Sequence, residues 1–271
     1  MILRIALLQY PILWGNKEEN LRLTEERILP LAGQADIALL PEMFTTGFCT
    51  DRPELAEKDD GETIQRLQRL SRQTGVAVAG SFVCVLPSGQ SAGGRLCNRG
   101  FLVQPDASPL FYDKAHLYAH GGEDRFFVKG TERTVWDYKG VRIRMLICYD
   151  LRCPVWARNL TGGDYDLLLV SANWPECRIR YWDALIAARA TENQCYIAAV
   201  NPVGDDGIGL HYNGHSIAYD TRLQPLAQFA DNEEGTRIAA FDIEALHHYR
   251  QTLPLWKDAD TDLHSSVFRC H

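Results

Sequence analysis

The sequence predicts a layered α/β domain built on two mixed β-sheets with helices covering them, and three observations carry that prediction. Short apolar runs alternate with amphipathic segments through the first 75 residues. Later segments come as runs of strands separated by turn residues. No repeat, low-complexity stretch or interdomain linker interrupts the 271 residues, so 1–271 reads as a single domain, with roughly its last 20 residues a C-terminal extension.

Residues 2–9 alternate as a first strand, and Asn16 with Glu19 three positions later offers an N-cap and capping box for a helix running to about Ala32. Its apolar positions Leu21, Leu23, Ile28 and Leu31 leave Lys17, Glu18, Arg22, Glu25 and Glu26 on a solvated face. ADIALLPE is short and continuously apolar, as a buried strand requires, and sets Glu42 at a strand's carboxyl end. After a polar loop, Ile64, Leu67 and Leu70 recur at helical spacing with Gly75 as the stop. VAVAGSFVCV, CNRGFLVQP and PLFYDK read as successive strands, with PSGQSAGG as the first turn and Lys114 at the end of the last strand. Residues 114–130 are too polar and glycine-rich for a regular element, and this loop carries Glu123. Val141, Ile143, Met145 and Ile147 interleave with Arg142, Arg144 and Leu146 at strand period, and Pro154 stands where a helix can begin. DLLLVSANWP is a buried strand ending at Ala172-Asn173, and YWDALIAARATENQ is an amphipathic helix. CYIAAVNP, GHSIAYD, PLAQFA and TRIAAFDI continue the strands before a short final helix, EALHHYRQTLP, closed by Pro254.

Composition narrows the function. A formal charge of −7, without any Lys/Arg block, argues against nucleic acid or an anionic membrane as partner and for a small polar substrate. No apolar run approaches the roughly 20 residues that span a bilayer, and MILRIALLQYPILWG lacks the basic leader of a signal peptide, so a soluble cytoplasmic protein is expected. Eight cysteines without CxxC pairs or a framework spacing suggest reduced thiols. His116/His120 and His211/His215 have a spacing that ligates zinc on some helices, but Asn213-Gly214 breaks the second pair and neither carries the HExxH glutamate. No metal is expected.

The chemistry centres on Cys148, which the pattern places at a strand-to-helix elbow. The N–H groups of a following helix, with nearby cations, would favour the reactive thiolate, although many cysteines are packing residues. Glu42, Lys114 and Asn173 also fall at or just past strand ends, where layered sheets bring side chains together. Their chemistry is complementary. A cysteine attacking an amide or nitrile carbon needs a base, which a glutamate supplies, and an oxyanion partner, which a lysine ammonium and the Tyr149 N–H supply. Taken singly, each has a structural explanation: a helix cap for Glu42, a surface ion pair for Lys114, a turn for Asn173.

The ordered set PEMF with Glu42, YDKAHLY with Lys114, GED with Glu123, LICYDLRCP with Cys148, SANWP with Asn173 and ARATENQ resembles the signature of the nitrilase superfamily of carbon-nitrogen hydrolases. The resemblance runs over nearly the whole chain. It implies a four-layer α-β-β-α sandwich, assembly as a homodimer through the helical layers, and a cofactor-free Glu-Lys-Cys triad. Glu42 would be the general base, Lys114 the oxyanion stabiliser, Cys148 the nucleophile and Glu123 a second carboxylate near the lysine. PEMFTTGF, NWP and ARATENQ are most similar to the omega-amidases, which act on 2-oxoglutaramate and 2-oxosuccinamate. The far carboxylate of such a substrate suits a guanidinium, and Arg152 or Arg178 is positioned to offer one.

The sequence departs from the family pattern just after the nucleophile. An aromatic residue followed by Pro-Glu is usual, whereas here Cys153, Pro154 and Val155 follow Arg152, so Cys153 is expected to enlarge or soften the pocket. Phe44, Tyr118, Trp174 and Tyr181 are candidates for either pocket or core. Rival readings are an N-carbamoyl amidohydrolase or nitrilase with the same triad, a non-catalytic binding protein on this fold, and a Cys-His protease, which would leave Glu42 and Lys114 unexplained.

Overall fold

The computed structural model describes residues 1–86, 95–160 and 163–258; the expected turn at 87–94 and most of the expected C-terminal extension lie outside them. Two six-stranded sheets face each other. The first runs, edge to edge, Gly235–Asp242, Ile2–Gln9, Ile37–Leu39, Ala77–Val85, Leu96–Val103 and Leu110–Asp113. The second runs Pro225–Gln228, Ile217–Tyr219, Tyr196–Val200, Leu167–Ser171, Val141–Ile147 and Trp136–Tyr138. In each sheet three neighbouring strands are parallel and antiparallel strands close both flanks. Parallel neighbours require a crossover, and the helices Lys17–Ile28 and Glu62–Thr74 provide it for the first sheet.

The period of two sorts side chains into layers. Leu3, Ile5 and Leu7 point into the space between the sheets, where they meet Val141, Ile143, Met145 and Ile147. Ala6 and Leu8 point the other way, onto Leu21, Ile28, Ile64 and Leu67 of the helices. On the far side, Leu146, Leu168 and Val170 pack on Trp182, Ile186 and Ala190 of the helix Ile179–Glu192. The result is the α-β-β-α sandwich expected.

Helix ends follow the sequence signals. Asn16 Oδ1 accepts from the Glu19 N–H at 3.3 Å, and Gly75 ends the second helix in the left-handed region, φ 72°. The first helix stops at Ile28 rather than Ala32 and tightens into a 3₁₀ turn, Leu29–Leu31, because Pro30 has no N–H for the α-ladder. The strand Trp136–Tyr138 and the hairpin Val203–Asp205 with His211–Asn213 have no counterpart in the sequence reading. All three strands are three residues long, too short to establish a period. Among the described residues no helix is long and apolar enough to cross a membrane.

Candidate active site

Strand ends from both sheets meet at one edge of the sandwich. Glu42 lies just past Ile37–Leu39, and its N–H donates to the Ala172 carbonyl of the other sheet at 3.3 Å. Lys114 follows Leu110–Asp113, Cys148 follows Val141–Ile147, and Asn173 lies two residues beyond Leu167–Ser171. Cys148 has φ 46°, a left-handed conformation that turns its side chain out of the strand direction.

These side chains converge as the sequence predicts. Lys114 Nζ lies 2.8 Å from Glu42 Oε1 and 2.9 Å from both carboxylate oxygens of Glu123, with all three side chains fully buried. The Asn173 N–H donates to Glu42 Oε2 at 2.9 Å, and its side-chain amide donates to the Glu42 carbonyl at 2.7 Å. The Cys148 thiol reaches the Asn173 carbonyl, 3.8 Å away, and the Glu42 carboxylate. Glu123 is held in turn by the Tyr118 N–H at 2.6 Å.

Burial sets the protonation of the cluster. Desolvation raises the Glu42 pKa above the ordinary carboxylate range; the Lys114 charge opposes the rise and the Glu123 charge adds to it. Desolvation by itself pulls the Lys114 ammonium down, but Glu123 and Glu42 together outweigh it and hold Lys114 firmly charged. The Cys148 thiol is pushed well above its usual value, first by desolvation and then by the Glu42 charge, against the smaller opposing pull of Lys114. The thiolate-favouring environment expected from the sequence is therefore absent from the resting site. The turn behind Cys148 is a 3₁₀ segment, Cys148–Arg152, and the α-helix after it, Pro154–Ala157, has only four residues and contributes little dipole. Ionisation of Cys148 thus requires a base that takes its proton, and Glu42 is in contact with it.

The family model for carbon-nitrogen hydrolases matches residues 4–251. The chain belongs to this family. It is 41% identical over 258 residues to the omega-amidase YafV of Yersinia enterocolitica, covering 95% of this chain and 97% of that protein. It is 31% identical to the 2-oxoglutaramate amidase of Bacillus subtilis, covering 96% and 98% of the two chains. Among solved structures, XC1258 of Xanthomonas campestris, described as a CN-hydrolase superfamily protein with an arsenic adduct in the active site, superposes with a TM-score of 0.90 at 36% identity, covering 96% and 98%. The protein is accordingly a hydrolase of carbon–nitrogen bonds other than peptide bonds.

In this hydrolase a cleft of about 450 Å³, counted to its open mouth, rises from Cys148. Tyr149, Arg152, Asn173 and Arg178, all expected at the site, line it. Arg152 lies over the Trp174 ring at 4.8 Å and beside Tyr181 and Tyr149 at 5.1 and 5.9 Å, and Arg178 lies over Tyr118 at 5.4 Å. Neither guanidinium is paired with a carboxylate among the described residues. Of the four aromatic candidates, Tyr118 and Trp174 line the cleft, Phe44 packs in the core against Phe101, and Tyr181 is 57% exposed.

Cys153 and Val155 do not line this cleft. Cys153 hydrogen-bonds His116 instead, and Val155 is exposed, so the departure after Arg152 leaves the pocket walls untouched. The four histidines of the two pairs are engaged elsewhere: His116 with Asp150, His120 against the Tyr118 ring, His211 with Asp205 and Asn232, His215 with Asp183 and Asp231.

Three features escaped the sequence reading. Leu210 and Tyr212, from the hairpin Val203–Asp205 with His211–Asn213, line the cleft. Asp150 braces the elbow, accepting from the Ile147 N–H at 3.1 Å, the Tyr112 hydroxyl at 2.7 Å and the His116 N–H at 2.9 Å. Asn98 touches both carboxylates of the cluster. A buried asparagine amid a strand pattern is the signal that could have found it, because such a group needs internal partners.

Proposed function

We propose that this hydrolase removes ammonia from the terminal amide of a small 2-oxo dicarboxylic acid monoamide, 2-oxoglutaramate or 2-oxosuccinamate, through a thioester on Cys148. One observation carries the reading: a buried carboxylate and ammonium pair lies against a cysteine at the floor of a cleft whose walls present two guanidinium groups that have no carboxylate partner among the described residues. The relatives named for omega-amidase and 2-oxoglutaramate amidase activity support the same substrate class.

In this reading Glu42 takes the thiol proton as Cys148 Sγ attacks the amide carbon. The Lys114 ammonium and the Tyr149 N–H stabilise the resulting oxyanion. Glu42 then passes its proton to the amide nitrogen as the C–N bond breaks, ammonia departs, and a thioester remains. Glu42 next accepts a proton from water, whose oxygen attacks the thioester carbon. The C–S bond breaks, the acid leaves, and the proton returns to sulfur. Glu123 keeps Lys114 charged and centred. Arg152, on the same turn as Cys148 and held among three rings, binds the far carboxylate, and Arg178 lines the same cleft.

Ammonia release by the wild type and by Cys148→Ala is measured on 2-oxoglutaramate, 2-oxosuccinamate, glutamine, an N-carbamoyl amino acid and a simple nitrile. Cysteine-dependent release confined to the 2-oxo amides is the expected result. Release only from the carbamoyl compound or the nitrile replaces the substrate, and release that survives Cys148→Ala overturns the mechanism. Residence in the cytoplasm and a homodimer joined through the helical layers belong to the same proposal; light scattering on the purified protein tests the dimer.

A further inference from the structure

Asn98 lies within the strand Leu96–Val103, fully buried, one strand away from Lys114. Its backbone carbonyl accepts from the Lys114 N–H at 2.9 Å, which ties the two positions together. Its side-chain amide donates to Glu42 Oε1 at 2.8 Å and to Glu123 Oε1 at 3.3 Å. The amide oxygen is buried with no hydrogen-bond partner among the described residues. Turning the amide over would set that oxygen against two carboxylates, so the observed orientation gives up an acceptor to keep both donors on the catalytic pair.

The consequence lies at Glu42. An ionised carboxylate offers about four acceptor positions, two on each oxygen. Lys114 and Asn98 occupy Oε1, and the Asn173 N–H occupies one position on Oε2. Among the described residues one position on Oε2 is left, on the carboxylate that interacts with the Cys148 thiol. Lysine alone would leave a second open position on Oε1, deep in the cluster, where a proton would be useless for catalysis.

We propose that Asn98 is a positioning residue of the hydrolysis: it caps Glu42 Oε1 so that the proton leaving Cys148 has one place to land, and it bridges to Glu123 so that Lys114 stays between the two carboxylates. The inference rests on the reading of Glu42 as the base. Its electrostatic signature follows from the sign of the hydrogen bond. A donor to a carboxylate favours the charged form, so losing Asn98 raises the Glu42 pKa and moves the acid limb of the pH–rate profile to higher pH.

The test compares kcat, KM and the pH dependence of kcat/KM for wild type, Asn98→Leu and Asn98→Asp. The leucine removes both donors at similar volume; the aspartate keeps the shape, removes the amide and adds a negative charge. In both variants the acid limb is expected to rise by about one to two pH units, the worth of one hydrogen bond to a charged group. kcat is expected to fall about 10- to 100-fold, with KM within about threefold of wild type. A purely structural role lowers the amount of folded enzyme and leaves the limb in place. A wild-type acid limb in whichever variant folds therefore overturns the proposal. Cys148→Ala in the same assay keeps the two readings apart: if it stays active the mechanism fails, whereas Cys148-dependent turnover with an unmoved limb removes Asn98 alone.

Discussion

The two sheets have the same plan, three parallel strands with antiparallel flanks, yet their contributions to the site differ in kind. Strands of the first sheet and the segments following them supply Glu42, Asn98, Lys114 and Glu123, all sealed from solvent and bonded to one another. The second sheet supplies Cys148 and Asn173, with Arg152 and Arg178 just beyond, all partly exposed and lining a cleft. Topology does not cause this difference; burial does. A base and an oxyanion partner work best in a low-dielectric site where their dipoles are already aligned, whereas a nucleophile and a substrate anchor must be reached from outside. Both halves carry local strain at the junction, with φ 47° at Met43 beside Glu42 and φ 46° at Cys148.

Replacing Lys114 should have the largest effect, because it lies wholly on the sealed side. The sequence alone implies lost turnover with the fold intact. Its burial between two carboxylates adds a second consequence, since removing one partner of a buried pair costs about 3–5 kcal/mol. Lys114→Met, which keeps the stem, should lose at least about 100- to 1000-fold in kcat and also fall in Tm. Thermal melts alongside ammonia release check both. A variant that kept its Tm would mean that the cluster sheds its charge by protonating a glutamate, and one that kept turnover would end the division of labour between the sheets.

On the open side, Arg152→Ala should act more mildly and on a different parameter. A charged hydrogen bond to the substrate carboxylate is worth roughly 1.5–3 kcal/mol, so KM should rise about 10- to 150-fold while kcat stays near wild type. Arg152 packs on rings rather than on the catalytic cluster, and stability should change little. If kcat falls instead with KM unchanged, Arg152 contributes to the transition state and the open half is not merely an anchor.

How much of this was legible in the sequence depends on the same contrast. Glu42, Cys148 and Asn173 stand at the ends of clear apolar runs punctuated by proline or a turn residue, and Lys114 ends a strand pattern, so position alone nominated them. Glu123 lies in a patternless loop and emerged through resemblance. Asn98 sits in mid-strand, where period-2 reading registers the strand and passes over the polar residue. The Cys148 thiol is held protonated for a reason the sequence does not display: it reveals nearby cations, but not that the thiol sits desolvated at the cleft floor against a fully buried carboxylate. The layers themselves were readable, since alternation along each strand is enough to assign two faces.

The smallest effect probes how the second sheet holds its elbow. Asp150 is buried and braces Ile147, and His116 covers it with Nδ1 2.9 Å from Asp150 Oδ1. The hydrogen bond to Asp150, followed by one to Cys153, raises the His116 pKa to about 9. A group whose folded pKa lies above its unfolded value of about 6.5 stabilises fully below the unfolded value, and that contribution is lost as pH rises through about 9. His116→Gln should therefore lower Tm at about pH 6 by more than at about pH 10, and the partial exposure of the ring limits the difference to roughly 1 kcal/mol or less. Turnover should change by less than about threefold, because Asp150 keeps the Ile147 N–H and Tyr112 hydroxyl bonds that hold the Cys148 turn. Equal Tm losses at both pH values would mean that His116 acts by packing on Trp156, 5.5 Å away, and not through its charge. A large loss of turnover would mean that the accessible half of the site depends on ion pairing as much as the sealed half does, and the contrast between the sheets would then have to rest on access alone.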